Sequence, residues 1–267
     1  MPGRISALIA ALALGLAATF SAAAGPLTQI PSSAAASPKE FWRGVMEQFY
    51  GGYDGSLKCW IGEIDGARQC MRPHRLDTVV VDGRTLHFVV TGGYAVTEGG
   101  GRPDCHACPG SLGMIVLGET GDRMELVARN SLAEPAGAWG AVPGEDEFRL
   151  RETGPGRYGW TMRTGWTGQG YTLGHEVVYG VSGSDVVELG SIPVHADNGG
   201  VCGDGMGECF VHDYDLVFDA GTGEGRYDIV LRKRPESTGG PDTLRAPFDA
   251  SALTYRMPDE AEALFGL

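Results

Sequence analysis

The feature that most constrains this chain is a period of two in its apolar residues. In Phe210–Phe218, the residues Phe210, His212, Tyr214, Leu216 and Phe218 alternate with Val211, Asp213, Asp215 and Val217. In Tyr171–Tyr179 the inward set is Tyr171, Leu173, His175, Val177 and Tyr179, and Tyr158, Trp160 and Met162 form another. Successive side chains of a strand point to opposite faces, so this pattern predicts half-buried antiparallel strands. Further short β-like runs are Thr78–Val81, Leu86–Thr91, Met114–Leu117, Met124–Ala128, Phe148–Arg151, Val186–Leu189 and Tyr227–Arg232. Gly, Asp and Pro separate them. Glycine supplies 43 of the 267 residues, well above the usual share of about 7%. It shows no every-third-residue period, which excludes collagen. Asp82-Gly83 between two runs is a type I′ hairpin signal. No helix of crossover length lies between the runs, which counts against a parallel α/β sheet. The expectation is a mainly β chain, a single antiparallel β-sandwich or barrel-like domain with a short helix at each end.

Residues 1–24 read as a signal peptide. Arg4 supplies the charge, Ile5 to Phe20 the apolar stretch, and Ala22-Ala23-Ala24 the small residues for cleavage. Residues 25–37 read as a linker, and 38–267 as the β-rich domain. Ser37, Pro38 and Glu40 form a capping box, and Phe41, Trp42, Val45, Met46 and Phe49 follow at helical spacing. This predicts a helix over 38–50. Pro258, Asp259 and Glu260, then Ala261, Leu264 and Phe265, predict another over 258–265. No later run approaches the ~20 apolar residues of a spanning helix, so no membrane span is expected in the mature chain. The formal charge is -13, from 21 basic and 34 acidic residues. That argues against a nucleic-acid partner, which needs Lys and Arg against phosphates, and favours a basic partner.

The six cysteines are an even count, which in an exported chain reads as disulfides. Their spacing suggests Cys59–Cys70, Cys105–Cys108 and Cys202–Cys209, although sequence alone allows other pairings. Cys105-x-x-Cys108 could be a redox dithiol. A thioredoxin-type site opens a helix, whereas here Gly99-Gly100-Gly101 precedes the motif and a β-like run follows it. A structural staple is the favoured reading. The segment Cys105-His106-Ala107-Cys108-Pro109, with its short Gly spacer and the run Met114–Leu117, resembles a segment of uncharacterised exported bacterial proteins. Tyr158-Gly159-Trp160 is similar to them in flavour. The resemblance implies export and no particular activity.

His175 and His212 both fall on otherwise apolar strand faces. Were their strands neighbours, the imidazoles could share a metal or serve as a general base; two separate core histidines is the favoured reading. His74, His87 and His195 lack partners in sequence and read as surface or edge residues. Asp197, Asn198, Asp204 and Glu208 fit a hard cation loosely but not at EF-hand spacing, so they read as a solvated loop. No serine sits in a nucleophile elbow. No catalytic residue, metal ligand or cofactor is assigned. The best binding surface is Thr164–Tyr171, where Trp166 and Tyr171 offer flat amphipathic rings and Gln169 an amide suited to a peptide or saccharide, although a hairpin turn with one aromatic packed inward is the favoured reading. The favoured reading is an exported, disulfide-stabilised, non-catalytic binding or accessory protein of the bacterial envelope, periplasmic or extracellular. Its partner would be a protein, peptide or glycan. The alternative is an exported enzyme: a thiol–disulfide protein using Cys105 and Cys108, or a hydrolase using His175 or His212.

Overall fold

The computed structural model describes residues 25–203, 207–221 and 225–266. The expected signal peptide and Asp204 of the acidic loop lie outside the described residues. The chain is mainly β. Strands β1 (Leu27–Pro31), β2 (Gly52–Asp54), β3 (Cys59–Ile64), β4 (Ala67–Val81), β5 (Arg84–Ala95), β6 (Gly110–Thr120), β7 (Arg123–Arg129) and β8 (Glu134–Ala136) make a first arm. Strands β9 (Phe148–Gly154), β10 (Arg157–Gly168), β11 (Tyr171–Ser182) and β12 (Asp185–Asp197) make a second. β13 (Val211–Asp219), β14 (Asp228–Lys233) and β15 (Thr243–Ala246) extend it. A small hairpin, β16 (Phe248–Asp249) and β17 (Thr254–Tyr255), stands apart. Two helices, α1 (Pro38–Tyr50) and α2 (Asp259–Phe265), pack on the sheet faces.

Strand β12 is the junction of the sheet. It pairs with β11 along its length, and its C-terminal end pairs with β13 through His195↔Asp213 and Asp197↔Val211. Its N-terminal end meets β7 through one parallel pair, Asp185↔Arg129. Every other strand pair among the described residues is antiparallel. The sheet is not closed, so the barrel expectation is corrected. Its path runs from β15 to β2 with open ends.

Strands β5 and β6 are buried on both faces. Phe88, Val90, Met114 and Val116 enter a core with Phe148, Trp160 and Met162 of the second arm. Phe88 meets Trp160 edge-on, ring centroids 5.1 Å apart. Their neighbours Val89, Ile115 and Leu117 face α1 instead. This double burial explains why Met114–Leu117 reads as a continuous apolar run and not as an alternation.

The Ser37 hydroxyl accepts from the Glu40 amide at 3.4 Å, and Pro38 opens α1 with its fixed φ. The helix buries Phe41, Val45, Met46 and Tyr50. The Tyr50 hydroxyl lies 2.6 Å from Thr91 Oγ1 and donates to the Leu132 carbonyl at 3.2 Å. A Cβ at residue 113 would stand 2.0 Å from Tyr50 Oη, so only Gly113 lets the helix dock this closely.

Three disulfides join Cys59–Cys70, Cys105–Cys108 and Cys202–Cys209. The first ties β3 to β4, the second closes a turn before β6, and the third closes the loop between β12 and β13. Disulfides persist in oxidising compartments, which points away from the cytoplasm. Asp82 and Gly83 both have positive φ, 51° and 77°, as the type I′ signal requires.

Several expectations need correction. Residues 25–37 are no free linker. Thr28 and Ile30 of β1 are buried against β7 and α1, Thr28 Oγ1 donates to the Met124 carbonyl at 2.8 Å, and a 3₁₀ turn follows over Ser32–Ala36. Small polar residues hid that short alternation. Strands β3 and most of β4 fall where no alternation marks them. Pro73 sits inside β4, where a register shift between Pro73 and Arg75 accommodates its missing N–H. On β11, Val177 and Tyr179 are buried, but Leu173 and His175 are half-buried and Tyr171 is exposed. The strand outruns the core there.

The contact between the arms carries a measurable load. Trp160→Ala should cost about 3–5 kcal/mol. Urea unfolding with the disulfides intact should show a lowered midpoint at unchanged slope.

Candidate functional site

The tip of the β10–β11 hairpin projects beyond the core. Its register runs Trp166↔Leu173, Thr167↔Thr172 and Gly168↔Tyr171, leaving Gln169 and Gly170 as the two turn residues. Their φ values, 51° and 82°, make this a type I′ turn whose twist matches the strands. The segment is therefore the hairpin turn the sequence favoured, but neither of its aromatics is packed inward. Trp166 is 49% exposed and Tyr171 42%, large values for such apolar rings.

A groove of about 530 Å³ runs between this tip and α2. Trp166, Tyr171 and Leu173 form one wall; Phe210, His212 and Phe265 stand among the residues opposite. Phe210 and His212 stack with centroids 4.8 Å apart and planes 16° from parallel. His212 Nδ1 donates to the Thr238 carbonyl at 2.9 Å, since a carbonyl can only accept. A second groove of about 510 Å³ lies on the other side of Trp166, with Pro143, Arg163 and His195 in its lining. Trp166 and Leu173 belong to both. Gln169 stands exposed at the apex of the turn, outside either lining.

The Cys202–Cys209 loop braces the tip. The Gly200 amide donates to the Gly170 carbonyl at 3.0 Å, and a Cβ on Gly170 would collide with Val201 at 2.3 Å. Asn198 is buried. Its Nδ2 donates to the Glu208 carbonyl at 2.9 Å, and its Oδ1 accepts from the Phe210 amide at 2.8 Å. One side chain thus clamps both strands of the disulfide loop and sets Phe210 in the groove wall.

Beside the groove, His195 has carboxylates at both ring nitrogens. Nε2 is 3.1 Å from Asp197 Oδ2, and Nδ1 is 3.4 Å from Asp213 Oδ1. Arg234 then bonds Asp213 at 3.1 Å and Asp215 at 2.6 Å. The Gly199 amide, ahead of the His195 and Thr172 bonds, holds the Asp197 carboxyl below the usual range. This network corrects the reading of His195 as unpartnered. Its signal was weak: His195 and Asp197 are two apart on one strand, but Asp213 joins them only through the β12–β13 register. His87 is likewise no surface residue. It is 4% exposed beneath Phe41, with Thr78 Oγ1 and Glu119 Oε1 each 3.0 Å from its ring nitrogens. His74 is half-buried and packs edge-on against Phe148.

His175 and His212 stand on β11 and β13 with β12 between them. Their partners across β12 are Pro193 and Ala196, three residues apart. Burial holds the His175 imidazole below its usual range. Cys105 and Cys108 lie in a turn where the Cys108 amide donates to the Cys105 carbonyl at 3.1 Å. His106 packs edge-on against Trp139, and β6, not a helix, follows. Among the described residues no group of three or more His, Cys, Asp or Glu is placed to hold a metal ion. No helix among them is long and apolar enough to cross a membrane. No protein-family model, curated protein or solved structure matches the chain.

The brace yields two expected outcomes. Asn198→Ala should cost about 1–3 kcal/mol, because two backbone groups lose their partner. Hydrogen exchange should quicken at the Phe210 amide. Asp197, with its folded pKa depressed, contributes stability that is present above the unfolded aspartate value of about 3.9. That contribution fades as pH falls through the folded value. Acid unfolding of Asp197→Asn should lack this part of the pH dependence.

Proposed function

We propose that the chain is an exported, non-catalytic binding protein of the bacterial envelope, periplasmic or extracellular. Its groove between the β10–β11 hairpin and α2 holds an apolar-anchored, basic peptide segment of a partner protein. One observation carries this reading: two large aromatic side chains stand exposed on a braced hairpin, facing a second aromatic wall across a groove. Rigid Trp and Tyr supply contact area at little entropic cost and dominate binding hot spots. The two arms, packed face to face in a sandwich-like arrangement, are the platform that keeps the hairpin in place.

The composition of the groove favours a peptide over a glycan. Sugar rings stack on aromatics, but their hydroxyls also need amide and carboxylate partners. Trp166, Leu173, Phe210, Leu264 and Phe265 offer few such groups. The net charge of -13 favours a cationic segment around the apolar anchor.

Two arrays, one of Leu- and Phe-containing basic decapeptides and one of neutral glycans, test the reading on the mature protein. Saturable peptide binding is expected. Trp166→Ala and Tyr171→Ala should each weaken it at least tenfold, with the unfolding midpoint unchanged. Peptide binding that survives both substitutions, or binding of glycans alone, overturns it.

A further inference from the structure

The acidic chain carries a local cluster of the opposite sign on the exposed part of the β9–β11 face. Arg149 and Arg151 stand two apart on β9, about 7 Å along one face. Thr161 of β10 is opposite Arg149, and Arg163 is opposite Glu176 of β11. Together with Arg234 they line a cleft of about 100 Å³. That is room for about three waters, or for one tetrahedral oxyanion. Arg234 is already engaged by Asp213 and Asp215. Among the described residues, Arg149, Arg151 and Arg163 make no ion pair within 4.0 Å.

Like charges on neighbouring strand positions repel and destabilise a sheet. Here 34 acidic residues are available, yet only two carboxylates, Glu176 and Asp215, line the cleft beside four guanidinium groups, and Asp215 is held by Arg234, which leaves Glu176 against Arg149, Arg151 and Arg163. Burial holds the Glu176 carboxyl above its usual range although Thr161 and the three arginines pull the other way. Thr161 is 2% exposed and places a hydroxyl at the floor. A carboxylate ligand is satisfied by one planar fork. Three forks around a hydroxyl suit a group with three or four equivalent oxygens.

We propose that this cleft is an anion site for a phosphate or sulfate group, held by Arg149, Arg151 and Arg163. It stands apart from the peptide groove reading and does not depend on it. Glu176 acts in it as the resident counter-charge, which an incoming oxyanion must oppose.

Calorimetric titration of the mature protein with inorganic phosphate, inorganic sulfate and a sulfated disaccharide tests the site. Saturable one-to-one binding of at least one probe is expected. Binding of the inorganic ions identifies a free-ion site; binding of the disaccharide alone identifies the esterified group as the ligand. Arg149→Gln and Arg163→Gln, both at exposed positions, should each weaken binding about tenfold. Glu176→Gln should strengthen it, because it removes the repelling carboxylate. Absence of saturable binding by all three probes overturns the proposal, as does equal affinity in the Arg149→Gln/Arg163→Gln double variant. So does weaker binding in Glu176→Gln, which would mean the arginines serve only to hold that carboxylate.

Discussion

The architecture depends on one contact surface, where β5 and β6 meet β10. Phe88 against Trp160 is its centre. Because α1 occupies the opposite face of β5 and β6, these strands have no solvent side. Strand β12 links the arms through only one pair to β7. Side-chain packing, not backbone hydrogen bonding, therefore holds the arms together. The Tyr50–Thr91 bond and the bare backbone of Gly113 fix where α1 sits, and so keep the first arm flat against its core.

The candidate groove lies where that core runs out. Strands β10 and β11 are buried at Trp160, Met162, Val177 and Tyr179, then continue past the packing to Trp166 and Tyr171. A hairpin that outruns its core must be held by something else. Here it is held by the twist-matched turn at Gln169-Gly170 and by the disulfide loop clamped through Asn198. The short Cys202–Cys209 bridge adds little to global stability on chain-entropy grounds. Its role is local, to hold a loop against the hairpin.

Charge is distributed less simply than the total suggests. The chain carries -13 overall, yet three arginines converge on one cleft of the β9–β11 face. Screening at physiological salt limits surface interactions to about 8 Å. An anionic group in that cleft therefore responds to its own guanidinium neighbours more than to distant carboxylates.

How much was legible in the sequence follows from how local each signal is. Period-two alternation, Asp82-Gly83 and the Ser37–Glu40 capping box depend on neighbours a few residues away, so they marked β structure, a turn and a helix start. The three close cysteine pairs were suggested by spacing alone. The exposure of Tyr171, the buried pairing of His87 and the His195–Asp213 contact depend on which strand lies beside which. Register and strand order fix those, and no local pattern encodes them. By itself the sequence determined a disulfide-stapled, strand-rich chain. Only the tertiary structure decided that the sheet stays open and that Trp166 and Tyr171 face α2. It also decided that Arg149, Arg151 and Arg163 meet, because each of these outcomes depends on contacts between segments remote in sequence.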